Sequence, residues 1–104
     1  MEQIASKFIV EVSHPSFTER KFIRKIGNEA CYIEFTTDIY KAKSFDSEKT
    51  AKKTADRVVK YINEAYERGW TTYGYDWDSV NHIFRNRLKD VEATVKEIKL
   101  TIIR

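Results

Sequence analysis

The sequence predicts an α+β fold, a two-layer sandwich in which a mainly antiparallel sheet of about four strands lies against one long helix and a second, shorter helix, in the order βββ(short α)ααβ. Three observations lead there. Residues 47–70, SEKTAKKTADRVVKYINEAYERGW, space their apolar side chains by three and four, the period of a helix with one buried stripe. Residues 7–12, 21–26, 30–36 and 93–103 alternate apolar with polar side chains, as strands do. Residues 77–91 return to the helical spacing before the last of those strands.

The first strand, KFIVEV, sets Phe8, Val10 and Val12 against Ile9 and Glu11, so one face is better suited to burial than the other. Pro15 pushes His14 toward an extended conformation and removes a ladder donor, so the strand stops near His14 and HPSFTE is a loop. In KFIRKI, Phe22, Arg24 and Ile26 share one face while Ile23 and Lys25 share the other. Gly27, Asn28 and Glu29 then make a hairpin connection, because Gly and Asn tolerate the positive φ that a short turn demands. The return strand, ACYIEFT, places Cys31, Ile33 and Phe35 on one face and Tyr32 with Glu34 on the other. Thr37 or Asp38 can cap a short turn of helix through Ile39, Tyr40 and Ala42, after which residues 43–45 run extended into the long helix.

In that helix Ala51, Ala55, Val58, Ile62, Ala65 and Tyr66 form the core-facing stripe. Asp46 or Ser47 can cap its start, and Gly69 supplies the left-handed residue that ends it, folding Trp70 back toward Ala65. Its charge runs against the macrodipole: Lys49, Lys52, Lys53 and Arg57 crowd the first turns, while Glu64 and Glu67 lie toward the negative end. Two readings follow, a solvated lysine-rich face or a surface for an anion or acidic partner. Residues 70–77, WTTYGYDW, fit neither period cleanly. Asp76 or Asp78 can then start the second helix, with Trp77, Val80, Phe84, Leu88 and Val91 on its apolar stripe, Ile83 beside them, and Arg85, Asn86 and Lys89 pointing outward. The closing strand alternates Ile98, Leu100 and Ile102 against Glu97, Lys99 and Thr101, and joins the first strand at an edge or in the middle. At an edge, its apolar tail at residues 100–103 would invite extension of the sheet into a dimer.

A chain of 104 residues holds one core and not two, so residues 1–104 are expected to form a single globular domain. With 34% charged residues, three Gly and one Pro, the composition is that of an ordered domain without low-complexity tracts. Nineteen basic against 16 acidic residues give a net charge of +3, too small an excess to establish nucleic-acid binding without a clustered patch. The single Cys excludes an internal disulfide, MEQIASKF lacks the apolar core of a signal peptide, and no run approaches a membrane span. The expected location is a reducing cytoplasm, with no membrane association.

Residues 32–55, YIEFTTDIYKAKSFDSEKTAKKTA, combine an aromatic strand, a short turn with an Asp, an Ala three residues before a Phe, and a Ser-capped helix with spaced alanines. This order resembles a segment of small proteins from phages and prophages of Gram-positive bacteria. The group includes anti-CRISPR proteins and other inhibitors of host defence. The resemblance covers about a quarter of the chain and implies a phage-encoded accessory protein acting in the bacterial host cell; no catalytic or binding residue carries over from it.

Enzyme signatures are missing: there is no GxSxG, glycine-rich phosphate loop, HExxH or CxxC, so no enzyme and no cofactor are expected. Cys31 with His14 or His82 is the one conceivable nucleophile pair, yet Cys31 reads as a core residue on a strand. Two histidines and one cysteine offer no zinc-like spacing. Asp76 and Asp78 read as helix caps rather than as paired catalytic carboxylates. The candidate partner-binding residues are Trp70, Tyr73, Tyr75 and Trp77, since exposed Trp and Tyr dominate interface hot spots; the competing reading is that they roof the core. The candidate anion or nucleic-acid residues are Arg20, Lys21, Arg24 and Lys25 with Lys49, Lys52, Lys53 and Arg57, and the sequence leaves open whether these two sets share a face. The function expected is that of a small non-catalytic binding protein, monomeric or homodimeric, which inhibits or modulates a host protein or nucleoprotein complex by covering its surface. The alternative is direct nucleic-acid binding through a basic face.

Overall fold

The computed structural model describes residues 2–27, 32–76 and 83–103 of the 104. Along them run β1 (Glu2–Ser13), β2 (Lys21–Ile26), β3 (Ile33–Thr36), α1 (Glu48–Glu67), β4 (Thr72–Tyr75), β5 (Ile83–Asn86) and β6 (Glu92–Ile103). Four strands form an antiparallel sheet in the order β3-β2-β1-β6, and β4 pairs with β5 in a two-stranded one. The fold is α+β, with α1 laid across β1 and β6.

The two longest strands pair without a break, from Glu2 opposite Ile103 to Ser13 opposite Glu92. Directly opposed residues of an antiparallel pair share a face, so Val10 with Val95 and Val12 with Ala93 all point toward the helix. Ile23 opposite Phe35 carries that face on through β2 and β3. From the other layer come Ala51, Ala55, Val58, Ile62 and Ala65, every one of them buried. Burying Val58 and Ile62 contributes about 1.5–3 kcal/mol each, and the alanines between them let the helix approach the sheet closely. Ser47 caps α1, its hydroxyl accepting the Thr50 N–H at 3.2 Å. At the far end Gly69 takes φ 75°, the Gly69 N–H reaches the Tyr66 carbonyl at 3.1 Å, and the Trp70 N–H reaches that of Ala65 at 2.7 Å. This is the Schellman closure expected of Gly69 and Trp70.

β1 and β2 are paired at Glu11 opposite Phe22 and at Val12 opposite Lys21, and the register of β2 against β3 shifts between Ile23 and Lys25. The chain leading to α1 enters the opening. Lys43 N–H donates to the Ile23 carbonyl at 2.9 Å, and Phe45 exchanges both backbone bonds with Phe8 at 2.9 and 2.8 Å. Ahead of it, the short turn of helix expected through residues 39–42 is a hydrogen-bonded turn instead. The Asp38 carbonyl accepts the Lys41 N–H at 3.0 Å and the Asp38 carboxylate accepts the Tyr40 N–H at 2.9 Å, so local bonding satisfies the backbone without a helix.

The second expected helix is absent from the described residues. Residues 83–86 form β5, which pairs with β4 from Thr72 opposite Asn86 to Tyr75 opposite Ile83, and residues 87–91 run irregularly into β6. Phe84, Leu88 and Val91 are buried as the helical stripe required, but from extended and irregular chain. Ile83, assigned beside that stripe, is 58% exposed and alternates with buried Phe84 as strand neighbours do. Packing chose these positions: the Phe84 ring meets Phe35 at 4.7 Å and Phe17 at 6.2 Å. Asp76 is not a helix cap but the buried ion-pair partner of Lys21. Trp77, Asp78 and Val80, also assigned to that helix, lie outside the described residues.

β4 runs beside β3 in parallel, bridged at Tyr32 with Tyr73 and at Phe35 with Asp76. Gly74 occupies the point of closest approach, where a Cβ would fall 1.8 Å from the Ile33 carbonyl oxygen.

Candidate partner-binding face

Thr72 and Gly74 are buried, so the alternation of β4 turns Tyr73 and Tyr75 away from the core, where they are 37% and 44% exposed. Register supplies their neighbours on β5: Arg85 stands opposite Tyr73 and Ile83 opposite Tyr75. From the β3 side, Tyr32 meets the Tyr73 ring edge-on at 5.3 Å. The Tyr32 hydroxyl donates to Glu34 Oε2 at 2.8 Å, and Arg24 Nε approaches Glu34 Oε1 at 3.8 Å. Burial first, and then the bond to the Glu34 carboxylate, push the Tyr32 phenol up to about 12. Ile33 and Phe35 face the helix layer, so Tyr32 and Glu34, between and beside them, belong to the opposite side of the sheet. The result is a strip of rings and one isoleucine with guanidinium groups at its margins.

Of the four aromatic residues singled out from the sequence, Tyr73 and Tyr75 lie on this strip. Trp70 is exposed at the C-terminal end of α1, with the Arg68 guanidinium 5.1 Å from its ring. Trp77 lies outside the described residues. Tyr32, Ile83 and Arg85 are members that the sequence reading missed. The signal for them was the alternation within TYGY and IFRN, which puts Tyr73, Tyr75, Ile83 and Arg85 on one side once both segments are read as strands.

The basic residues divide. Arg20 grips Glu11 with two bonds, Nε to Oε2 at 3.1 Å and Nη2 to Oε1 at 2.8 Å, and that grip holds the Glu11 carboxyl below its usual range. Glu11, opposite Phe22, and Glu34, opposite Lys25, both lie on the sheet side away from α1, so Arg20 and Arg24 are anchored on that side. Lys21 turns the other way and forms a buried pair with Asp76, their side chains 12% and 5% exposed. Lys25 is exposed. Lys49, Lys52, Lys53 and Arg57 are exposed on α1, across the sheet from Arg20 and Arg24, and Arg57 lies 5.3 Å from the Tyr61 ring. The two sets therefore do not form a single basic face. Among the described residues, Lys49, Lys52 and Lys53 make no ion pair.

His14 is occupied structurally. Its Nδ1 accepts the Ser16 N–H at 3.0 Å and its Nε2 lies 3.0 Å from the Lys89 carbonyl, which ties the β1–β2 loop to the chain entering β6. Cys31 and His82, the other members of the conceivable nucleophile pair, lie outside the described residues. No helix among the described residues is long and apolar enough to cross a membrane. A small α+β chain with an aromatic strip on the side of its sheet away from the helix is the class of protein that fold and face define. No protein-family model, curated protein or solved structure matches the chain.

Proposed function

We propose that this is a small non-catalytic binding protein, phage-encoded, which inhibits or modulates a host macromolecule by covering part of its surface. A nucleic-acid-associated defence complex such as CRISPR–Cas is the kind of target that the resemblance of residues 32–55 suggests. The single observation that supports a binding role is the set Tyr73, Tyr75 and Ile83, large side chains standing exposed side by side on β4 and β5 with Arg85 among them. Rings of this kind supply contact area at small entropic cost, and Arg adds bidentate bonding at the margin. The exposed lysines of α1 steer the approach to an acidic or nucleic-acid-laden partner.

Direct nucleic-acid binding is the second reading, and Lys49, Lys52 and Lys53, exposed and without an ion pair among the described residues, favour it. A pull-down from bacterial lysate, with and without nuclease, compares the wild type with a Tyr73→Ala/Tyr75→Ala variant of matched melting temperature. The first reading expects a protein band that survives nuclease and is lost with the tyrosines. Recovery that vanishes with nuclease, and with Lys49, Lys52 and Lys53 changed to Glu, supports the second and refutes the first.

A further inference from the structure

β6 is the terminal strand of the four-stranded sheet, and β1 occupies only one of its edges. Along its 12 residues the other edge has no strand partner among the described residues. Every second residue there turns its N–H and C=O outward, which makes a template for another strand. Edges of this length are ordinarily shortened, bulged or covered. Here the pairing with β1 is continuous, and 12 strand residues span roughly 40 Å against about 30 Å for the 20 residues of α1, so the ribbon outruns the helix that lies on it.

We propose that this edge is a homodimer seam, in which two copies pair β6 antiparallel about a two-fold axis through Ile98, each Glu97 facing the partner's Lys99. A two-fold relating adjacent antiparallel strands stands perpendicular to the sheet and keeps every side chain on its own face. Directly opposed residues must then share parity, so the axis passes through a residue and not between two. Axes through Lys96, Glu97 or Lys99 set a charge against its own copy across the seam, which destabilises the pair. An axis through Val95 pairs only residues 92–98, and one through Leu100 only residues 97–103; neither brings opposite charges together. Ile98 alone puts an apolar side chain on itself, brings Glu97 against the partner's Lys99 twice, and aligns residues 93–103, nearly the whole strand. Glu97 and Lys99 are both exposed, and the Ser6 hydroxyl holds Glu97 Oε1 at 3.0 Å, leaving Oε2 to receive the ammonium group. Lys96 and Lys99 thus act against the wrong registers while one of them is neutralised in the right one. The axis also sends the tyrosine strips of both copies to the same side of the joined sheet.

The test is sedimentation equilibrium of the full chain over a broad concentration series. Wild type is expected to reach twice the 12.3 kDa chain mass. Lys99→Glu alone and Glu97→Lys alone each raise the dimer dissociation constant by about tenfold or more, since two attractive pairs become two repulsive ones. The double variant Glu97→Lys/Lys99→Glu restores the dimer. Circular dichroism of all three checks that the fold persists, as the exposure of both side chains implies. A wild type that stays monomeric throughout, a dimer indifferent to Lys99→Glu, or a double variant no better than the singles overturns the proposal.

Discussion

Replacing Gly74 by Ala separates this fold from the helical one that residues 77–91 suggest. The added Cβ would stand 1.8 Å from the Ile33 carbonyl oxygen and 2.7 Å from its carbon, whereas real contacts stay at 3.0 Å or more. β4 must therefore withdraw by at least the difference between 3.0 and 1.8 Å, 1.2 Å, and the obstacle is backbone that cannot rotate aside. Withdrawal loosens the Phe84–Phe35 contact at 4.7 Å and opens buried Thr72 to solvent. Overpacking costs about 1–3 kcal/mol, and a backbone obstacle places this substitution at the upper end, about 3 kcal/mol out of the roughly 5–15 kcal/mol of a typical domain. Urea unfolding followed by circular dichroism and by tryptophan fluorescence should show a midpoint lowered accordingly. Hydrogen exchange should speed up first at Tyr73 and Tyr75. An unchanged midpoint would refute the docking of β4 on β3, because Gly→Ala in a loop leading to a helix is neutral or mildly stabilising.

Lys21→Met leaves the Asp76 carboxylate buried without its counter-charge and should cost about 3–5 kcal/mol, with Lys21→Met/Asp76→Asn recovering part of the loss; equal losses would mean that the pair carries no special coupling. The Tyr32 phenol, raised from 10.0 to about 12, contributes stability that is whole below pH 10 and is lost as pH rises through about 12. Ultraviolet titration should show a late step near pH 12 that Tyr32→Phe removes; a titration curve that Tyr32→Phe leaves unchanged would contradict the Tyr32–Glu34 bond.

What was legible in the sequence was what short-range geometry decides. The stripe of α1 is set by the helical repeat alone, Ser47 acts on an amide three residues away, and Gly69 closes the helix with bonds to residues just behind it. The alternation of Val10 with Val12 and of Ile33 with Phe35 likewise grouped residues of the core face before any pairing was known, whereas in β2 the register shift between Ile23 and Lys25 brings Ile26 to the same core as Ile23 and breaks the simple alternation. The illegible parts depend on distant partners. β1 extends back to Glu2, although MEQIAS shows no alternation, because β6 runs alongside it there. Phe84, Leu88 and Val91 mimic a helical stripe because three points of an irregular path happen to enter one core. β4 is a strand because Gly74 lets it reach the Ile33 carbonyl, a contact that no local propensity announces.

The same division explains why the candidate face was only half visible. Residue type marked Tyr73 and Tyr75, but the face they occupy follows from the pairing of β4 with β5, and with it come Ile83 and Arg85. Charge shows a similar split. Lys7, Arg20, Lys21 and Arg24 are each matched to a carboxylate, so they are accounted for by the fold itself. Lys49, Lys52 and Lys53 have no such partner among the described residues, and they stand at the helix end where the macrodipole already disfavours cations by a few tenths of a kcal/mol each. Glu48 and Asp56 offset only part of that charge, so stability alone gives no reason to keep all three cations there. Under the proposed function, long-range attraction to an acidic surface does, because steering depends on where charge stands in solvent and not on what it bonds within its own chain. Changing all three to Gln should then raise the melting temperature slightly while slowing capture by the partner most at low salt, and a capture rate indifferent to both the change and the salt would remove the lysines from the recognition process.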